Sequence, residues 1–260
     1  MLLKVLGCSG SDLPGHHLTS FLVNDTILLD AGSVTSSLDL SQQAKITDIF
    51  VTHAHLDHIK DILFLADNLI EFFAGTQRPP VRIHGLAEVL HSIAEHLLND
   101  TIWPDFTVIP QNAPVLAYQP LAPGEAVQVA GLNVLTCPVN HARAASGYVL
   151  FSDAGRHNVA YTGDTGPNGP WWDFLNSLPF PLTNLITEAS FPNSMEALAE
   201  TSRHLTPRLL RAELERLEVR PKIHIYHMKS PFSAQIQEEL QRDLAGYTYH
   251  LMSEKETFHF

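Results

Sequence analysis

Cysteine is scarce in this chain: Cys8 and Cys137 are the only two among 260 residues, too few for a disulfide framework and enough for at most one pairing. Each is expected to be a small buried thiol. Basic residues are sparse as well, 16 Lys and Arg against 28 Asp and Glu, which leaves a net charge of −12. Long polyanions are held chiefly by neutralising their phosphates with Lys and Arg, so this balance counts against a long nucleic acid as partner. A small anion stays open, because a bound dication reverses the local field. Long apolar runs are missing: Asp61-Ile62-Leu63-Phe64-Leu65-Ala66-Asp67 is cut by charge at both ends, far short of the roughly 20 residues of a membrane span. No membrane partner is expected. Met1 to Gly7 passes directly into Cys8-Ser9-Gly10-Ser11 without a charged leader or a cleavage site, so a cytoplasmic location is expected. Repeats, low-complexity tracts and linker-like shifts of composition are also absent, and residues 1–260 read as one domain.

What is present is 45% hydrophobic and 17% charged, a globular composition. Short apolar and β-branched segments bounded by turn residues predict strands over Leu2–Leu6, Leu18–Val23, Thr26–Asp30, Asp48–Thr52 and Val81–His84. Further strands are predicted near Val115–Tyr118, in an otherwise irregular Trp103–Pro123, and over Val127–Val129, Leu132–Thr136, Gly147–Phe151, Asn158–Thr162, Thr183–Glu188 and Lys222–Tyr226. From Ile59 the apolar positions recur at three and four residues through Phe73, marking an amphipathic helix. Helices are also predicted over Leu86–Leu98, Trp171–Leu178, from the Thr206-Pro207 cap to Leu217, and along Ile236, Leu240 and Leu244. Strand-rich halves that each end in helices predict a layered α/β arrangement, with helices outside two packed sheets.

The stretch His53-Ala54-His55-Leu56-Asp57-His58 places three imidazoles and a carboxylate within six positions, between a predicted strand and a predicted helix. A metal site needs neutral imidazoles and ionised carboxylates held close, and a loop at a strand exit can aim them free of helix or strand periodicity. Four such groups in one short loop crowd a single ion. The alternation of His53 and His55 against Asp57 and His58 predicts two subsets, each facing its own metal, with the remaining ligands at other strand ends. His141, Asp164 and His227 each follow a predicted strand. The histidines without such context, among them His84 and His224, are read as ordinary surface or core residues.

Through His53-x-His55-x-Asp57-His58 and the later His141, Asp164 and His227 in that order, the chain resembles the metallo-β-lactamase superfamily of binuclear metallohydrolases over essentially its whole length. The resemblance implies an αββα sandwich, two packed mixed β-sheets with helices on the outer faces. It implies His53, His55 and His141 around one divalent ion, Asp57, His58 and His227 around a second, and Asp164 bridging both. Zinc leads for such a donor set, with manganese or iron as alternatives. Asp30 belongs to the same pattern and is expected to hold a ligand imidazole by its free N–H.

Three further segments, His55-Leu56-Asp57-His58-Ile59, Asn99-Asp100-Thr101-Ile102-Trp103-Pro104-Asp105-Phe106 and Thr162-Gly163-Asp164-Thr165-Gly166-Pro167, resemble the class II 3′,5′-cyclic-nucleotide phosphodiesterases. Asp61 stands where that family usually has a small residue. The resemblance implies hydrolysis of cAMP or cGMP to the 5′-monophosphate by attack of a metal-bridging hydroxide. Thr187-Glu188-Ala189-Ser190 and Ser202-Arg203-His204-Leu205-Thr206-Pro207 also resemble the phosphodiesterase branch, in which a Glu and a His pair near the leaving group. Asp57, His204 and Glu188 would then be catalytic, with His204 the acid for the departing 3′ oxygen and Glu188 its orienting partner. The rival readings are a tRNA 3′-processing endonuclease, a lactonase or thioesterase of the same superfamily and, last, a non-catalytic binding protein. The endonuclease shares the His53 to His58 motif and a similar Glu and His pair, but it should carry a basic surface or an extended Gly-rich arm, and neither is evident. Homodimerisation is left open, with the Trp103-Pro104 segment as a candidate interface or pocket wall.

Overall fold

In a computed structural model describing residues 1–260, β1 (Leu2–Gly7), β2 (Ser20–Val23), β3 (Ile27–Leu29), β4 (Asp48–Phe50), β5 (Val81–Gly85) and β6 (Leu116–Pro120) lie side by side in chain order. The second sheet follows the same rule, with β7 (Ala126–Val129), β8 (Leu132–Pro138), β9 (Ser146–Ser152), β10 (His157–Tyr161), β11 (Asn184–Glu188), β12 (Lys222–Tyr226) and β13 (Tyr249–Leu251). The last strand, β14 (Thr257–His259), returns to pair antiparallel with β1. Both sheets are mixed: β1 to β3 and β7 to β10 run antiparallel, whereas β3 to β6 and β10 to β13 run parallel.

The twofold alternation of side chains along each strand sorts the apolar residues into layers. In β2, Phe21 and Val23 face the second sheet with Leu29 of β3 and Tyr148 and Tyr161 of β9 and β10, while Leu22 faces outward. The outward face is covered by α2 (Leu56–Phe73) and α3 (Ala87–His96), through Ile59, Ile62, Leu65, Leu69 and Ile93. Across the molecule, α4 (Gly169–Asn176), α6 (Pro207–Leu214) and α7 (Ser233–Asp243) cover the other sheet with Trp171, Trp172, Leu210 and Leu240. The architecture is therefore the predicted αββα sandwich. No helix is long and apolar enough to cross a membrane.

Several expectations are corrected. Helix α2 begins at Leu56 rather than Ile59, so Asp57 and His58 stand in its first turn instead of a loop. The short α1 (Leu40–Gln43), α5 (Glu196–Ser202), β13 and β14 were not predicted, and α6 stops at Leu214 rather than Leu217. Cys8 and Cys137 are unpaired and half-buried rather than buried as expected; even so, burial pushes them up to about 12 and about 11.

The Asn99–Phe106 segment has a structural explanation. Asn99 Oδ1 accepts from the backbone of Thr101 and Ile102, Asp100 Oδ1 from Asp105, and Asp105 Oδ1 from Thr107. These side chains supplement the single bridge between Leu98 and Trp103 in a loop outside both sheets. Trp103 pins it to α2, its Nε1 donating to the Leu63 carbonyl at 3.1 Å and its ring lying 5.2 Å from that of Phe64. Asp61 is also structural: one carboxylate oxygen accepts from the backbone of Val34 and Thr35 and from the Thr35 hydroxyl, fixing the loop after β3.

Between β4 and β5, the fully buried Asp48 accepts from Arg82 Nε at 2.7 Å, Arg82 Nη2 at 2.9 Å and His84 Nε2 at 2.7 Å. Burial alone would raise this carboxyl, yet the hydrogen bonds from His84 and Arg82 hold it at about 2. The folded value lies below the unfolded one, so the stabilisation is complete above the ordinary value of 3.8 and is lost as pH falls toward about 2. Discounted for solvent around the Arg82 head, Asp48→Asn is expected to cost about 1–2 kcal/mol at neutral pH in urea unfolding. The difference from the parent should shrink on acidification through that window; one that stays constant would contradict the assignment.

Candidate metal centre

The parallel strands end on one rim of the sandwich, and the residues just beyond those ends converge there. His53 follows β4, His55 caps α2, Asp164 follows β10, Glu188 closes β11 and His227 follows β12 in a left-handed conformation, φ 62°. His141 comes from the β8–β9 connection. Gly163, at φ +63°, brings its backbone against Thr52, where a Cβ would lie 2.8 Å from that side chain. This close approach joins the rims of the two sheets.

All seven predicted ligand residues meet. Potential ligand atoms of His53, His55 and His141 lie within 4.8 Å of one another, as do those of Asp57, His58, Asp164 and His227. Asp164 Oδ2 stands between the groups, 3.8 Å from His53 Nε2, 3.4 Å from His58 Nε2 and 3.2 Å from His227 Nε2. His55 turns Nδ1 inward, 3.0 Å from His53 Nε2 and 3.3 Å from His141 Nε2.

The opposite ring edges are held from behind. His58 Nδ1 donates to Asp30 Oδ2 at 2.7 Å and His141 Nδ1 to the Arg203 carbonyl at 3.1 Å. The Thr52 hydroxyl donates to Asp30 Oδ2 at 2.8 Å, so it accepts from His53 Nδ1 at 3.0 Å. Thr19 Oγ1 lies 3.0 Å from His227 Nδ1. Each contact leaves an Nε2 aimed at the centre. Asp30 thus takes the supporting position expected of it. Thr19, Thr52, the Arg203 carbonyl and Tyr161, which donates to Asp30 at 2.6 Å, were missed, because hydroxyls and carbonyls are too common to signal from sequence.

The donor set fits divalent metal ions. His58 Nε2, His227 Nε2 and Asp164 Oδ1 are buried without any hydrogen-bond partner, a condition native interiors rarely tolerate. Burial lowers His53, His55 and His141 and brings His227 to about 4, so these imidazoles offer lone pairs at neutral pH. Burial would raise Asp164, but His227 and His58 hold it well below the carboxylate range. His58 moves up despite its burial, because Asp164 and Asp30 face its two nitrogens; a cation at Nε2 would take the place of a proton.

Beside this cluster lies the predicted pair. His204 Nδ1 donates to Glu188 Oε1 at 2.8 Å. Glu188, with no solvent exposure, also accepts from the Thr165 and Leu205 backbone and the Ser190 hydroxyl. Burial alone would lower His204, but the Glu188 charge and hydrogen bond, with Asp164 behind them, push it up to about 9. Its ring stacks 5.9 Å from that of His227.

The sequence signature of the beta-lactamase superfamily domain matches residues 25–228. The chain belongs to the beta-lactamase superfamily. Among superfamily relatives it is 28% identical to a 3′,5′-cyclic-nucleotide phosphodiesterase of Aliivibrio fischeri, over 82% of this chain and 74% of that protein. The crystal structure of yeast PDE1 superposes with a TM-score of 0.82 at 17% identity, covering 98% of each chain. That of human tRNase Z, short form, superposes with a TM-score of 0.72 at 16% identity, covering 100% of this chain and 99% of the other. At such identities the superpositions establish the superfamily fold and leave the substrate open.

Asp30→Asn removes a charge from behind His58 and should weaken metal affinity about 10- to 100-fold. Competition against a chromophoric chelator measures it, with thermal melting confirming the fold; unchanged affinity in a folded variant would show that Asp30 does not support the site.

Proposed function

We propose that this protein is a binuclear metal-dependent phosphodiesterase that hydrolyses 3′,5′-cyclic nucleotides to 5′-nucleoside monophosphates. The observation that carries the reading is the buried His204–Glu188 pair beside the two donor groups, and the 28% identity to a protein named for this activity supports it. In this proposal His53, His55 and His141 would hold one ion and Asp57, His58 and His227 the other, Asp164 would serve them as a shared ligand residue, and zinc suits the imidazole-rich set. Such cations, when bound, would make a water more acidic and offset charge developing on the phosphoryl oxygens.

The protein's own groups then handle protons and orientation. Glu188 fixes the His204 ring through Nδ1 and keeps it protonated at neutral pH, which leaves the Nε2 proton for the substrate. As the P–O3′ bond breaks, that proton passes to the departing oxygen; the water oxygen remains on phosphorus and completes the 5′-monophosphate. Asp57, at 27% side-chain exposure the most open carboxylate among the donors, accepts a proton from the incoming water. His204 is reprotonated from solvent.

The tRNA-processing reading draws support from the fold of human tRNase Z, but the net charge of −12 gives a long polyanion little to hold. A thioesterase expels a thiolate, which departs without a proton, whereas a lactonase expels an alkoxide and would share the need for an acid.

His204→Ala should lower kcat on cAMP or cGMP by about 10²- to 10⁴-fold while metal content stays at the parent level. Bis(p-nitrophenyl) phosphate, whose nitrophenolate departs without a proton, should suffer far less. Parallel loss of metal and activity, or equal loss on both substrates, would remove His204 as the acid.

A further inference from the structure

A cavity of about 490 Å³ opens directly beside the metal centre, lined by His55 itself together with Ala54, Glu88, Ser92, Arg143 and Ala144. Its volume falls within the roughly 300–1,000 Å³ of small-molecule pockets. Its other walls come from the β8–β9 connection and from α3, which also supplies Val89 and His96. Arg143 lies two residues beyond His141 in the β8–β9 connection, and Glu88 and Ser92 stand on successive turns of α3. Both charged side chains are exposed, and neither forms a side-chain hydrogen bond or an ion pair; the contact at Glu88 is the Ser92 hydroxyl donating to its backbone carbonyl at 2.9 Å.

A glutamate in the first turn of a helix is favourable on dipole grounds anywhere, so its presence alone argues nothing. The position does: an unpartnered guanidinium close to the metal donors and an unpartnered carboxylate share one cavity with a predicted ligand. A cyclic nucleotide with its phosphorus at the donor groups has one charged end for Arg143 to meet and a base left to place. Guanine carries two adjacent donors, N1–H and N2–H, on its Watson–Crick edge. Adenine offers one donor and one acceptor there. An ionised carboxylate only accepts, so it pairs bidentately with guanine and not with adenine.

We propose that the cavity between α3 and the β8–β9 connection is the nucleoside subsite, in which Arg143 contacts the phosphate and Glu88 reads the base edge in favour of guanine. The proposal rests on the cyclic-nucleotide reading above. It assigns the protein a preference for cGMP over cAMP that resides in one side chain.

The test compares kcat/KM for cGMP and cAMP in the metal-loaded parent and in Glu88→Gln and Arg143→Ala, with equilibrium dialysis of 5′-GMP and 5′-AMP as a readout independent of turnover. The parent should prefer cGMP by about tenfold or more, the worth of one bidentate pair. Glu88→Gln, whose amide matches adenine's donor and acceptor, should reverse or abolish the preference in both turnover and dialysis. Arg143→Ala should raise KM for both nucleotides alike. A parent that hydrolyses both equally, or a Glu88→Gln variant that keeps the preference, overturns the subsite while leaving the diesterase reading intact. A parent that turns over bis(p-nitrophenyl) phosphate and neither cyclic nucleotide overturns both.

Discussion

A carboxylate sealed from water, Asp30, ties the rim of this molecule together. It accepts from Thr52 beyond β4, from His58 on α2 and from Tyr161 at the end of β10 in the opposite sheet. A buried charge is costly unless donors surround it, and losing one donor leaves the rest of that cost uncompensated. The two sheets and the first turn of α2 are therefore held in one relative position at the place where the donor groups converge. Aim at the centre is a by-product of satisfying Asp30: the hydroxyl that serves it also accepts from His53, and the ring that serves it points Nε2 at Asp164.

The same rim shows why imidazoles outnumber carboxylates there. Five neutral-capable rings can gather around two carboxylates, Asp57 and Asp164, without the mutual repulsion that several buried anions would suffer, and burial keeps four of them unprotonated. Glu188 and Asp164 both face Nδ1 of His204, at 2.8 and 4.0 Å, and together bias this ring toward the protonated form. Unprotonated rings and a protonated one thus stand a few ångströms apart, and Glu188 is the neighbour that sets His204 apart.

Much of this was legible in the sequence because ligand-type residues fall immediately after strands, and strand periodicity is a strong signal. What misled was the overlap of two demands on the same positions. Asp57 and His58 occupy the first turn of α2 on behalf of the centre, so the apolar stripe that announces a helix starts only at Ile59. Strands β13 and β14 are three residues each and largely half-exposed, without the alternation that marks a strand. In α5, Leu198 is exposed at 45% while the small Ala199 is buried, which erases the expected amphipathic pattern. The Asn99–Phe106 signature was readable as a resemblance, but its reason, a set of side-chain caps on a loop pinned by Trp103, emerges only when the partners on α2 are in place.

Helix α3 contributes none of the hydrogen bonds that fix the donor groups; its inner face rests on Val89, Leu90 and Ile93, and its outer positions face the cavity beside His55. Sites that share no partners change nearly independently. Substitutions along that outer face can therefore change what the cavity admits while the donor groups stay as they are. One chemistry retained beneath an exchangeable helix face is an economical route by which a scaffold of this kind diversifies.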